Sequence, residues 1–377
     1  MEKTCFTDIC TLIMGQSPDS SSYNTNCEGL PFYQGNSDFG ELYPVPRVWC
    51  SEPKKIAQEN DILISVRAPI GDLNIANEKC CIGRGLAAIR IINSDNVDLT
   101  YLYHFFESKK TYLQEKGTGS TFKAINKDSL INFVIPLPSV KEQESISQEL
   151  SALHLLIKGK KNQLFALDEL VKSRFIEMFG EPLSESYTTP FSQACIFNPK
   201  KSEKKDWTDE TVISFIPMPL VSEHGEINTG TLKTYKEVKT GFTYFRENDV
   251  LFAKITPCME NGKGAIAQNL KNGIGFGSTE FHVLRPIEGV SNPYWIYYLT
   301  AIDSFRIMAE KKMTGSAGQK RVPISFFENM KVNLPPIEQQ NQFAEFVKLI
   351  DKSKFIVQQQ IKDLQELLDS KMDEYFR

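Results

Sequence analysis

Two glycine- and hydroxyl-rich stretches carry the most suggestive chemistry in this chain. Ser120, Thr121 and Lys123 lie in GTGSTFKAI, and Ser316, Gln319, Lys320 and Arg321 lie in TGSAGQKRVPI. Both put small hydroxyls and backbone N–H groups beside cations, a mixture suited to a phosphate, although a solvated turn has the same composition. Arg67 and Lys254, at the ends of two matched apolar runs, are long enough to reach a polyanion. Gln34 and Asn36, in FYQGNSDFG, have amides able to form paired hydrogen bonds to adenine. Lys200, Lys201, Lys204 and Lys205 precede Trp207 and fit a solvated loop or a contact.

Other chemistry finds little footing. Asn292-Pro293-Tyr294-Trp295 is similar to the tetrapeptide with which amino-methyltransferases hold a target base. It lacks the second proline, and a turn opening a helix accounts for it. Gly83-Arg84-Gly85 echoes a dinucleotide fingerprint, but that motif must join a strand to a helix, and here another strand follows. His104, His154, His224 and His282 are scattered without metal-ligand spacing and are expected to be structural. The sequence therefore predicts neither a catalytic constellation nor a metal site. The eight cysteines include no C-x-x-C pair, so free thiols in a reducing cytoplasm are expected. No apolar run reaches the ~20 residues of a membrane span. Net charge is −4, and no segment is strongly basic, so any nucleic-acid face must be local.

The elements that hold these residues come in two copies. LPSVKEQESI (137–146) falls on LPPIEQQNQF (334–343), ELVKSRFIEMFG (169–180) on ELLDSKMDEYFR (366–377), and DILISVRAP (61–69) on DVLFAKITP (249–257). A period near 190 residues is a domain duplication. Each copy begins with a mixed strand-and-helix head and ends in a long helix. This predicts globular domains at 1–139 and 184–336, with helices at 140–183 and 337–377. In the first helix Ile146, Leu150, Leu153, Ile157, Lys160, Leu164, Leu167, Val171, Arg174 and Met178 follow a four–three spacing. In the second the same spacing selects Phe343, Val347, Ile350, Lys354, Val357, Ile361, Leu364, Leu368, Lys371 and Tyr375. Stripes of this length are coiled-coil patterning. Chain order makes an antiparallel pair the simplest arrangement. The fold class expected is α+β: two globular heads joined by two long antiparallel helices, with an internal pseudo-two-fold repeat. A stripe of about 33 residues gives a bar of roughly 50 Å, against ~34–36 Å for one turn of DNA.

The layout resembles the DNA-specificity subunit of type I restriction-modification systems. GQSP (15–18), FYQGNSDFG (32–40), DILISVRAPIG (61–71), GTGSTF (117–122), IPLPSVKEQ (135–143), TGSAGQKRV (314–322) and LPPIEQQ (334–340) carry the resemblance, in that order and over essentially the whole chain. It adds Gln16 and Ser17 to the candidate DNA contacts. It implies that each head reads half of a bipartite, asymmetric site in double-stranded DNA, with the helices fixing the unread spacer and docking two modification subunits. S-adenosylmethionine, ATP and magnesium are then expected on the modification and restriction subunits, with no cofactor and no active site here. The second copy has FIPMPLVSEHGEI where the first has FYQGNSDFGEL, so contacts do not transfer between heads residue by residue. Two other readings are a single-chain adenine DNA methyltransferase with its own recognition domain, and a scaffold with no DNA role.

Overall fold

The runs from Asp61 and Asp249 are continuously apolar, which is the pattern of a strand buried on both faces. In the computed structural model, which describes residues 3–118, 123–182, 184, 186–201, 207–316 and 318–377, both become interior strands of four-stranded sheets. The chain forms two compact units, residues 1–161 with 358–377 and residues 162–357, so each long helix contributes a segment to each unit.

In the first unit the sheet order is Cys10–Met14, Leu86–Ile91, Ile62–Ser65, Leu73–Ile75, antiparallel throughout. Successive side chains point to opposite faces. Ile62 and Ile64 therefore join Tyr101, Phe105 and the long helices in one core, while Leu63 joins Tyr33, Ile82 and Leu86 in another. That second core lies against a five-stranded sheet in which Leu30–Tyr33 pairs in parallel with Cys80–Ile82.

The second unit repeats the plan. Its first sheet runs Cys195–Phe197, Phe281–Pro286, Val250–Ala253, Gly264–Ile266. Val250 and Phe252 face the helices, and Leu251 and Ala253 face the other way. Its second sheet again has a parallel pair at the centre, Val212–Ile216 with Ile274–Gly277. Each sheet carries one bidentate ion pair, Arg90 with Asp61 at 3.0 and 2.8 Å and Arg285 with Asp249 at 2.7 and 2.7 Å. The second pair is fully buried, whereas Arg90 is partly exposed.

The long helices span Val140–Phe179 and Ile337–Phe376, 40 residues and about 60 Å each. Glu142 reaches back to the start of the first, its carboxylate accepting from the Ser139 N–H and Oγ at 3.0 and 2.7 Å. Gly180, at φ 77°, ends it in the left-handed conformation that stops helices. Buried glutamines anchor both helix starts. The Gln143 amide accepts from Asp98 N–H and donates to the Asn96 and Pro138 carbonyls; Gln340 does the same with Asn292, Val290 and Pro335.

Within each unit the helical segments pair through their apolar stripes. In the first, Ile146, Leu150, Leu153 and Ile157 pack with Leu368, Met372 and Phe376, and Ile361 and Leu364 line the edge. In the second, Val171 and Phe175 pack with Phe343 and Val347, with Ile350 at the edge. There Phe179 meets Phe343 while Asp168 pairs with Lys354, so the segments run antiparallel. Val357 is buried, but Leu164 and Leu167 are half-buried and belong to neither core. Polar interruptions of the stripe are matched by charge: Lys354 with Asp168, Arg174 with Glu177, and Lys371 with Glu149 and Glu374.

The aromatic stretch after each sheet, continuous as a pattern, is broken into two helices: Leu99–Ser108 and Lys110–Lys116, then Pro293–Ala301 and Asp303–Lys311. Each break redirects the chain so that Leu113, or Phe305 and Ala309, re-enter the core. Asn292 caps the third of these, its side chain accepting from Tyr294 N–H at 2.9 Å, which is the turn-and-helix role its tetrapeptide suggested.

Candidate nucleic-acid interface

In the first unit three loops meet where the parallel strands end. Gln16 N–H donates to the Ile82 carbonyl at 3.0 Å, and Gly83 N–H to that of Tyr33 at 2.8 Å. Gly85 N–H donates to Gln34 at 3.1 Å, and Val66 N–H to Gly85 at 2.9 Å. Arg67 bridges to Ala124, and Ala68 N–H donates to the Lys123 carbonyl at 3.1 Å. The sequence-predicted Gln16, Ser17, Gln34, Arg67 and Lys123 thus share one backbone frame. Glycine is required in it: a Cβ on Gly15 would lie 2.1 Å from the Gly83 oxygen, and one on Gly85 would lie 2.2 Å from the Gln34 oxygen.

The side chains divide by exposure. Gln16, Gln34, Arg67 and Lys123 are exposed, and Ser17 is half-buried with its Oγ accepting from Arg84 N–H at 3.4 Å. Asn36 is half-buried and donates to Asp72 at 3.1 Å, which commits part of its amide. Asp38 is turned to the Gln34 N–H at 2.7 Å. Ser120 and Thr121 lie outside the described residues, as do Lys204 and Lys205. Arg84, set between two buried glycines, is exposed on this face. In the sequence Arg84 stands out only within the dinucleotide-like Gly83-Arg84-Gly85, since the bonds that bring it here are tertiary.

The second unit builds the same frame with other side chains. Ser278 N–H donates to Ile216 at 3.3 Å, Lys254 N–H to Glu280 at 2.9 Å, and Thr256 N–H to Lys320 at 3.0 Å; Ile255 bridges to Arg321. Ser316, Gln319 and Lys320 are exposed, with Gln319 N–H closing a turn on the Ser316 carbonyl. Arg321, a sequence-predicted contact, grips Glu280 through Nε and Nη2 at 2.9 and 2.8 Å. Hydrogen bonds from Arg321 hold the Glu280 carboxyl below its ordinary range. Lys254 is half-buried, and burial pushes its ammonium below the usual lysine range. Exposed cations thus dominate the first face, and the charge of Arg321 is matched on the second.

The expectation of scattered histidines is corrected for one pair. His104 Nδ1 and His154 Nε2 lie 3.0 and 3.1 Å from the same Glu107 oxygen, and their rings stack at 5.4 Å. Thirty-one residues separate the end of the His104 helix at Ser108 from the start of the long helix at Val140, so sequence spacing could not reveal the contact. Burial raises the Glu107 carboxyl, but the bonds from both imidazoles outweigh it and hold it at about 2. Their ligand atoms lie within 4.8 Å of one another, as for a cation, yet the three groups satisfy each other. His282 is held at about 4 by burial, and its Nε2 lies 2.8 Å from the Val322 carbonyl.

The family model described as the type I restriction modification DNA specificity domain matches residues 1–166 and again 194–366. A putative type I restriction enzyme MjaX specificity subunit of Methanocaldococcus jannaschii is 45% identical over 161 residues, 43% of this chain and 38% of the relative. The type I restriction enzyme EcoAI specificity subunit of Escherichia coli is 45% identical over 149 residues, 38% of this chain and 25% of the relative. The match thus spans less than two fifths of either relative's length. In fold, the crystal structure of the type I restriction-modification S subunit from M. genitalium aligns with all of this chain and 96% of its own, with a TM-score of 0.52 at 13% identity. The double match and the duplicated architecture agree: this chain belongs to the type I restriction modification DNA specificity domain family.

Proposed function

We propose that the chain is the sequence-reading subunit of a type I restriction-modification complex in the cytoplasm. The observation that carries this reading is one backbone frame built twice with different exposed side chains. Such a frame suits two readers of related geometry and different targets. The heads, residues 1–139 and 184–336, each take one half of a bipartite site in double-stranded DNA, and the helices at 140–183 and 337–377 set the spacer. Arg67, Lys123 and Lys320 are placed to meet phosphate, and Gln16, Ser17, Gln34, Asn36, Ser316 and Gln319 to meet base edges or sugar. Among the described residues nothing resembles a catalytic constellation, so the chemistry is assigned to partners. Two modification subunits would carry S-adenosylmethionine and restriction subunits ATP and magnesium.

The long helices supply a reason for such partners. Leu155, Leu156 and Leu367 in the first unit, and Phe165, Leu170, Leu349, Phe355 and Ile356 in the second, expose large apolar side chains. Apolar surface of this kind on a helix suits a docking face. Among the described residues no helix is long and apolar enough to cross a membrane.

The test is exchange of residues 1–139 for the corresponding segment of another family member, with the modification subunits co-expressed and methylated sites mapped across a genome. One half-site should change and the other persist. A change in both half-sites, or methylation at no defined sequence, contradicts the reading.

A further inference from the structure

We propose that Arg84 reads a guanine in the first half-site, and that positions 84 and 279 are where the specificities of the two heads part. The inference rests on the DNA-reading function above and names a base contact within it. The equivalence of the two positions follows from the backbone. Gly83 bonds Tyr33 as Ser278 bonds Ile216, and Gly85 accepts from Val66 as Glu280 accepts from Lys254. The intervening residues, Arg84 and Thr279, therefore occupy one place in one frame, and both are exposed.

The frame makes this place suitable for reading a base. Gly83 and Gly85 are buried and both pack closely against the Gln34–Gly35 segment, so the residue between them projects from a fixed support. A fixed support favours a contact that depends on direction, and the guanidinium fork matches the O6 and N7 acceptors of guanine in the major groove. Arg84 has no carboxylate partner among the described residues, leaving its fork available. Arg67 and Lys123, on the adjoining strand and loop, supply charge for the flanking phosphates. The second unit differs at the same place in three ways. Thr279 cannot form a fork, Glu280 replaces Gly85, and Arg321, in the place of Ala124, is bound to Glu280. The two heads thus present a cationic fork and a small hydroxyl from the same position.

The experiment uses the full chain assembled with its modification subunits and a library of duplexes randomised through both half-sites. With Arg84→Ala, preference for one G·C pair in the first half-site should fall by about 5- to 150-fold, and the second half-site should be unchanged. Arg84→Lys should keep affinity better and retain only part of that preference, because an ammonium keeps donors but lacks the rigid planar fork. Thr279→Ala should leave the first half-site intact. A uniform loss across all sequences, with the salt slope reduced by about one, would mark a phosphate contact and overturn the proposal. Unchanged preference at every position would overturn it as well. A wild-type complex that selects no sequence overturns the DNA-reading function itself and is distinguished from the other outcomes by that control. Thermal melting of the free chain checks that the variants fold.

Discussion

At the scale of single residues, electrostatics explains what holds the buried ion pair of the second unit and the Glu107 cluster of the first. Asp249 and Arg285 are both almost wholly buried, and losing either breaks a buried ion pair, a cost of about 3–5 kcal/mol. Burial raises the Asp249 carboxyl, and the two bonds from Arg285 oppose that rise. Glu107 makes the clearest pH case. Its carboxyl is held at about 2 in the folded chain, against 4.5 ordinarily. A depressed carboxyl contributes stability above its unfolded value and loses it as pH falls toward the folded one. The contribution, at most roughly 3 kcal/mol, is therefore complete above about pH 4.5 and gone near pH 2. Urea unfolding at a series of pH values should show Glu107→Gln less stable than wild type at pH 6, with the two converging as pH approaches 2. A difference that stays constant over that range would show that the imidazole bonds do not hold the carboxyl down. Chain chemistry alone revealed Arg67, Lys123 and Lys320 as exposed cations beside turns. It could not reveal that Arg321 faces Glu280 across 41 residues, or that Glu107 unites two histidines from different helices.

The long helices were legible as elements because a stripe with a four–three period has a direct structural meaning. In the sequence, Pro138 and Pro335-Pro336 stand at their starts, where a helix boundary is expected. The charges inside the stripe carried a second message. Lys354 interrupts an apolar seam, and its partner Asp168 sits off the stripe on the other helix, so periodicity alone could not name the pair. Such a pair fixes register more than it adds stability. Lys354→Asp should destabilise the second unit by about 1–3 kcal/mol, and adding Asp168→Lys should restore part of the loss. Thermal melting of the two variants measures this, and a double variant no better than the single one would remove Asp168 as the register partner. The broken aromatic helices were not legible, because Lys109 and Ile302 have side chains compatible with a continuous helix. The need to return Leu113 and Phe305 to a core decides the break, and that need is tertiary.

Across the whole molecule, duplication is the organising fact. Three sheets in each unit, parallel pairs at matching places, two anchoring glutamines and two matched frames all follow from one ancestral plan. The order of motifs showed that plan, whereas the differences between the two heads lie in loops whose contacts only the fold brings together. The function proposed here depends on the paired helices as a spacer between two readers. The most direct measurement inserts seven residues into each long helix, at 161–162 and at 357–358, and maps the sites methylated by the assembled complex. A heptad preserves the stripe and adds about 10 Å. Matched insertions should leave both half-sites unchanged and lengthen the unread spacer by at most about three base pairs, while either insertion alone should abolish specific methylation. A spacer of unaltered length in the doubly inserted protein would contradict the account.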